Sequence, residues 1–417
     1  MKILVISNLY PPETIGGYEI QCSQAVDQLR ARGHEVLVLT SIPYSVPPQR
    51  LGYVLRVLRT PDVYSADRVE LRSPYWELES NLINPDNVYL LLDVIGDFGP
   101  DVCYLWNLVA LGGAGIVGAL EYIELPWVWH LGDSVPAMLC NFEGQLLEMA
   151  KAIAPQLSGR FLACSQTVVD KTEMIVSLAG KMRIVPNWIM HSTGRLDRTF
   201  GNDKCLKLIH AGRLSAEKGS FMLVEVAQLL QLNGRDFSLD LVGDGETEAL
   251  RGMITEYHLE DRVRLVGRLS QEMLRERLSR ADLFLFPTFA EDSMPLAPLE
   301  AASVGCVPVL PLLSGISEWL VDRVDCIKSE RSASAFADAI QQVMDGKIDL
   351  EAIAKRAARV VHDQFRIDKI LPTVESELVV AAERRSEQKR RASDAYTMSL
   401  MGHAMIRRNI STRLKSA

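Results

Sequence analysis

Long apolar runs are missing from this 417-residue chain: none approaches the about 18 residues that a membrane-spanning helix requires. Cysteine is sparse and scattered. Cys22, Cys103, Cys140, Cys164, Cys205, Cys306 and Cys326 include no Cys-x-x-Cys pair, which argues against a zinc knuckle or dithiol redox centre and for reduced thiols. His34, His191, His210, His258, His362 and His403 show no metal-ligand spacing and read as structural or surface residues. Excess positive charge is absent as well. The net charge is -8, and because residues 383–417 hold nine Lys/Arg against three Asp/Glu, the body before them is more acidic still. Such a body repels phosphate backbones and excludes general nucleic-acid binding. No repeat with a period of about 20 to 50 residues is found.

What is present is enough apolar material, 48% against 24% charged, for two domains with real cores, so disorder does not dominate. The N-terminus opens on a strand-like Lys2–Ser7 rather than a basic region followed by a long apolar one. The expectation is a cytoplasmic protein, soluble or peripheral at the inner face of the membrane.

Short β-branched apolar runs alternate with longer amphipathic ones, the pattern of βα units around buried parallel sheets. Strands are expected near Ile3–Ser7, Glu35–Thr40, Val102–Trp106, Trp127–Leu131, Phe161–Cys164 and Arg183–Val185, with a helix over Tyr18–Arg32. The polar segment 191–204 interrupts the series and reads as a linker. Behind it strands are expected at Lys207–Ala211, Ser238–Val242, Val263–Val266, Leu283–Pro287 and Val307–Leu310, and helix through most of 335–382. The predicted class is α/β: a Rossmann-like domain over 1–190, a second over 205–365, a helix 366–382 returning to the first, and a basic tail 383–417. Ligands belong in a cleft beyond the carboxyl ends of the strands.

Three segments carry chemistry. In Leu283–Gly305 a buried strand ends at Pro287, a loop holds Asp292, Ser293 is placed to cap, and Pro295 suits a first helical turn. Glu300, eight residues after Asp292, falls one to two turns into that helix, so both carboxylates can face one ligand. The free N–H groups between them suit a diphosphate. In His210–Gly219 a strand ends and Arg213 and Lys218 project from a Gly-bounded loop, two cations able to neutralise a leaving diphosphate. Leu241–Glu246 places Gly243 and Gly245 in a tight loop that a nucleotide can approach closely.

With Gly16-Gly17, Arg32-Gly-His-Glu-Val36 and Val185-Pro-Asn-Trp188 added, the order of these motifs over roughly residues 1–382 resembles the retaining glycosyltransferases of the GT-B fold, family four (GT4, glycosyl transferases group 1). The resemblance implies two doubly wound Rossmann-like domains facing a central cleft and a UDP- or GDP-sugar donor. Implied catalytic residues are His130, Arg213, Lys218 and Asp292; implied donor-binding residues are Gly16, Gly17, Gly243, Ser293, Met294, Leu296 and Glu300. In these roles Glu300 bonds the donor ribose, Asp292 and His130 touch the transferred sugar, Arg213 and Lys218 hold the diphosphate, and Gly16-Gly17 lets the N-terminal loop approach the phosphates. The family pattern has Glu where Asp292 stands, a departure that bears on the sugar preferred.

No metal and no separate cofactor are expected, since the chain contains no Asp-x-Asp and Arg213 and Lys218 can replace the cation. Retention is implied by the resemblance alone. Tyr104, Trp106, Asn107 and Asp133 are candidates for the acceptor side, where the partner is a glycan, lipid or small molecule. Gly113-Ala-Gly115-Ile-Val-Gly118 imitates a dinucleotide fingerprint but does not follow the first strand of its domain, so it is read as close packing. The tail around Arg384–Arg391 and Met398–Ile406 is either disordered or a basic amphipathic contact with a membrane. Two other functions fit the architecture: a nucleotide-sugar 2-epimerase and a non-catalytic nucleotide-sugar binder.

Overall fold

The computed structural model describes residues 1–14, 16–42, 47–60, 82–132, 144–178, 180–192, 194, 196, 205–289 and 293–388. Two compact units result. One comprises Met1–Ala163, Val168–Val185 and the residues from Leu371 on; the other comprises Cys164–Thr167 and Pro186–Ile370.

The first unit is built on strands β1 (Lys2–Ser7), β2 (Glu35–Ser41), β3 (Gln49–Leu51), β4 (Val54–Leu58), β5 (Val102–Leu105), β6 (Trp127–Leu131), β7 (Arg160–Ala163) and β8 (Met182–Ile184). Their order is β3-β4-β2-β1-β5-β6-β7-β8, parallel throughout except for β3 against β4. Unbroken apolar runs form the central strands because helices cover both faces. Ile3 to Ser7 are all buried, and so is every residue of β6. Local chemistry sets the helix ends. Asn84 caps the helix Pro85–Phe98 by accepting from the Asn87 N–H, Pro85 fits its first turn, and Gly99 stops it at φ 63.

The second unit carries β9 (Leu206–Ala211), β10 (Phe237–Val242), β11 (Val263–Gly267), β12 (Leu283–Leu285), β13 (Val307–Pro311) and β14 (Ile327–Ser329), all parallel, in the order β11-β10-β9-β12-β13-β14. Leu208, Leu239, Leu241, Leu283 and Val307 pack with Leu223, Val226 and Ile340 in one core. The chain winds outward from β9 to β11, then returns to the other side of β9 to begin β12. The carboxyl ends of β9 and β12 therefore lie side by side at the reversal, the place where open α/β sheets bind ligands.

Each strand expected from the sequence is found to within a few residues, and β3, β4 and β14 are additional. The expected helical stretch 335–382 is three helices, Ala333–Met344, Leu350–Gln364 and Ile367–Gln388. Gly346, at φ 68, follows the first of them, where a residue with a side chain would be strained.

The Arg32-Gly-His34 motif has a structural purpose. Arg32 Nη1 and His34 Nε2 each lie 2.7 Å from a carboxylate oxygen of Glu375, on the C-terminal helix. Two residues along, Glu377 is buried between Arg160 Nε and Arg183 Nη1, both at 2.5 Å. Burial raises the Glu375 carboxyl, but the bonds from His34 and Arg32 outweigh it and the net displacement is downward. No helix among the described residues is long and apolar enough to cross a membrane. The tail from residue 389 on lies outside the described residues.

Candidate functional site

Beyond β9 the chain turns through Gly212 and Arg213 into a loop that closes on itself. The Ser215 N–H donates to Ser220 Oγ at 3.2 Å and the Lys218 N–H to Ser215 Oγ at 3.3 Å. Gly219 caps the helix Ser220–Leu232 at φ 77, where a Cβ would lie 2.7 Å from Pro287 Cγ, so only glycine lets this loop press against the end of β12. The Phe289 N–H completes the union by donating to Glu217 O at 2.8 Å. Arg213 is exposed, and its side chain makes no hydrogen bond or ion pair among the described residues.

Beneath the loop, His210 is buried with Nδ1 2.9 Å from Leu285 O. A carbonyl only accepts, so Nδ1 carries the proton and donates it. Burial pulls this imidazole down to about 4; the Leu285 bond opposes the shift and the Lys218 ammonium adds to it. His210 is therefore neutral at physiological pH, and Lys218 is near enough to act on it.

Beyond β12, Asp292 lies outside the described residues, which resume at Ser293. The helix Leu296–Ser303 has Pro295 at its N-cap, with no side chain capping it, so the expectation that Ser293 caps it is corrected. Proline supplies no acceptor for the first-turn N–H groups, and Leu296 and Ala297 are left with free donors; Pro298 has none. A helix N-terminus with free first-turn N–H groups favours an anion. Glu300 sits in the second turn, half-buried. Burial raises its carboxyl above the ordinary 4.5, while the Arg275 guanidinium on the neighbouring helix Gln271–Arg280 opposes the rise.

Gly243 and Gly245 prove to be required by the protein itself. A Cβ on Gly243 would overlap the Gly212 carbonyl oxygen, and one on Gly245 the Leu214 carbonyl oxygen. The Leu214 N–H donates to Asp244 O at 2.9 Å, tying this loop to the Arg213 loop. The two glycines thus shape the cation loop from behind.

The remaining predicted residues belong to the first unit. Gly16 is the N-cap of the helix Gly17–Ala31, and its N–H donates to Glu19 at 2.9 Å, so this pair first of all starts a helix. His130 ends β6, wholly buried, stacked on Trp106 at 4.4 Å with Nδ1 2.8 Å from the Tyr104 hydroxyl. Burial lowers its imidazole to about 3, so the ring is neutral at physiological pH. Tyr104 and Trp106 are themselves buried and pack around His130. Asn107 is half-buried, and Asp133 lies outside the described residues. Of the fingerprint imitation, Gly115 packs tightly on Ile83, whereas Gly118 faces open space.

Residues 197–360 match the family model described as Glycosyl transferases group 1. An amylovoran biosynthesis glycosyltransferase of Erwinia amylovora is 30% identical over 167 residues, 38% of this chain and 41% of that protein, so the match spans under half the relative's length. Glycogen synthase of Mycobacterium tuberculosis is 23% identical over 408 residues, 93% of this chain and 96% of the relative. Among solved structures, Anabaena Alr3699/HepE in complex with UDP superposes with a TM-score of 0.68 at 18% identity, covering 91% of this chain and 100% of that one. Sucrose-phosphate synthase from Thermosynechococcus elongatus gives 0.70 at 19% identity, covering 90% and 97%. The fold is GT-B, two doubly wound Rossmann-like units.

In the segment that matches the family model, Arg213 and Lys218 follow β9 and Glu300 follows β12, the neighbouring strand. Three further residues of the site were not singled out from the sequence. Arg275 is one of several charges in Gln271–Arg280 and gave no signal. Gly315 opens a short 3-10 helix, Gly315–Glu318. Asn187 was in view within Val185–Trp188, but a motif does not disclose what a side chain touches.

Proposed function

We propose that the protein is a retaining glycosyltransferase that moves a hexosyl group from a nucleoside diphosphate sugar, uridine being the first base to test, onto a glycan acceptor. The observation that carries this reading is the placement, beyond the adjacent strands β9 and β12, of an uncapped helix N-terminus, an exposed arginine and a half-buried carboxylate. Each fits one part of such a donor. The N–H groups and Arg213, with Lys218, face the diphosphate, and Glu300 accepts from the ribose hydroxyls.

As the bond from the sugar C1 to the diphosphate oxygen breaks, negative charge grows on the leaving group and positive charge on the sugar ring. Fixed cations and N–H dipoles stabilise the former without reorganising, so the reaction needs no metal. Asp292 and the neutral His130 serve as contacts for the sugar hydroxyls. Support for a uridine nucleotide comes from Alr3699/HepE, solved with UDP and with UDP-glucose. Support for a polysaccharide acceptor comes from the names of relatives, which include amylovoran, colanic acid and teichuronic acid biosynthesis glycosyltransferases. The basic segment 383–417 is proposed as a peripheral membrane contact, which vesicle cosedimentation of a tail-deleted chain tests.

The direct experiment incubates the chain with UDP- and GDP-sugars, with and without glycan acceptors, and measures nucleotide release and product stereochemistry. Acceptor-dependent release with the anomeric configuration kept supports the proposal. A sugar altered without any acceptor identifies an epimerase instead, and binding without turnover identifies a carrier.

A further inference from the structure

Asn187 is more than nine-tenths buried and lies 107 residues before the segment it holds. Its Nδ2 donates to Met294 O at 2.6 Å, and its backbone N–H donates to Met294 Sδ at 3.2 Å. On the other side of the same segment stands Gly315, where a Cβ would overlap the Ser293 carbonyl oxygen and reach within 3.0 Å of Ser165 Oγ. The Ser293–Met294 backbone is thus gripped between an amide that draws one carbonyl and a glycine that makes room for the other.

The peptide unit is planar and trans, so a carbonyl and the N–H of the next residue point in opposite directions. With the Ser293 carbonyl turned to Gly315, the Met294 N–H faces away from it. That N–H has no hydrogen-bond partner among the described residues, and neither do those of Leu296 and Ala297. A buried Met294 side chain, tied to Asn187 through its sulfur, is not itself a donor contact; its backbone is.

We propose that Asn187 is a positioning residue: by fixing the Met294 carbonyl it aims the N–H groups of Met294, Leu296 and Ala297 at the donor's diphosphate. The inference rests on the donor reading given above. It also assigns Gly315 to the same task, since a side chain there would push the Ser293 carbonyl out of line. Asparagine suits the position because it donates to a carbonyl. Aspartate of the same shape places oxygen against oxygen and turns the peptide away.

The test compares wild type, Asn187→Asp and Glu300→Ala in the full chain by titration with UDP and with uridine, alongside thermal melts. The expected result for Asn187→Asp is UDP affinity lower by about tenfold, the loss of a hydrogen bond's worth of alignment, with uridine affinity unchanged. Glu300→Ala is expected to weaken both ligands, because both carry the ribose. UDP binding as in wild type for Asn187→Asp, with Glu300→Ala weakened, overturns the positioning role and leaves the donor site standing. Equal losses for UDP and uridine in Asn187→Asp also overturn it, since they mark a general collapse. If Glu300→Ala binds both as wild type does, or wild type binds neither, the donor reading fails and takes the positioning role with it. Should Asn187→Asp fail to fold, Asn187→Ala removes the bond without the repulsion and is held to the same outcomes.

Discussion

Replacing Glu300 by alanine removes a carboxylate whose burial costs the fold something and whose benefit, on this account, appears only when the donor is bound. Burial raises the Glu300 carboxyl above its ordinary 4.5. A raised carboxylate pKa means that the ionised group destabilises the folded state once pH exceeds the unfolded value, so at neutral pH the alanine variant should melt no lower than wild type. Donor binding should move the other way. A hydrogen bond from a ribose hydroxyl to an ionised acceptor contributes about 1.5 to 3 kcal/mol, and about 1.4 kcal/mol is tenfold in affinity, so the variant should bind UDP roughly 10- to 150-fold more weakly. Calorimetric titration with UDP, paired with a thermal melt, gives both quantities. Weak binding with an unchanged or higher Tm matches the reasoning; wild-type affinity, or a large drop in Tm, would falsify it.

Four further outcomes follow from the same geometry. UDP affinity should decline as pH falls through the raised Glu300 value, and Glu300→Gln should flatten that decline, which titrations between pH 4 and about 8 can check, the range being set by ordinary carboxylate behaviour. Arg213→Ala should lower kcat/KM by about 10²- to 10³-fold, as for loss of one preorganised group facing a leaving charge, and leave Tm unaltered because Arg213 is exposed. Gly243→Ala forces a Cβ into the Gly212 carbonyl oxygen, so it should cost about 2 kcal/mol or more of stability, read by urea unfolding, as well as donor affinity. The Glu375 carboxyl is held below its ordinary 4.5, so its bonds to Arg32 and His34 stabilise the fold above the unfolded value and are lost as pH falls through the folded one. Glu375→Gln should therefore lower Tm at neutral pH and much less in acid.

Much of the architecture was legible because parallel strands buried on both faces leave unbroken apolar runs, and β1, β2 and β13 contain such runs. The strands that escaped notice lack that signature. β3 and β14 are three residues long, and β4 breaks its run with Arg56, a buried arginine paired with Glu13 at 2.9 Å. The positions of Arg213, Lys218 and Glu300 beyond strand ends were legible because each follows an apolar run in chain order. The site was illegible where a role depends on contacts far apart in sequence. Nothing local marks Asn187 as the partner of Met294, or Gly243 as the residue that must clear Gly212. Nor does anything local show that Tyr104 and Trp106 are buried around His130.

The central claim is that the second unit holds a nucleotide sugar at the β9/β12 strand ends. A crystal structure of the chain with UDP-glucose bound tests it most directly. The account predicts ribose hydroxyls on the Glu300 carboxylate and diphosphate oxygens at the Met294 and Leu296 N–H groups and Arg213. A nucleotide seated elsewhere, with Glu300 and the start of that helix in contact only with water, contradicts it.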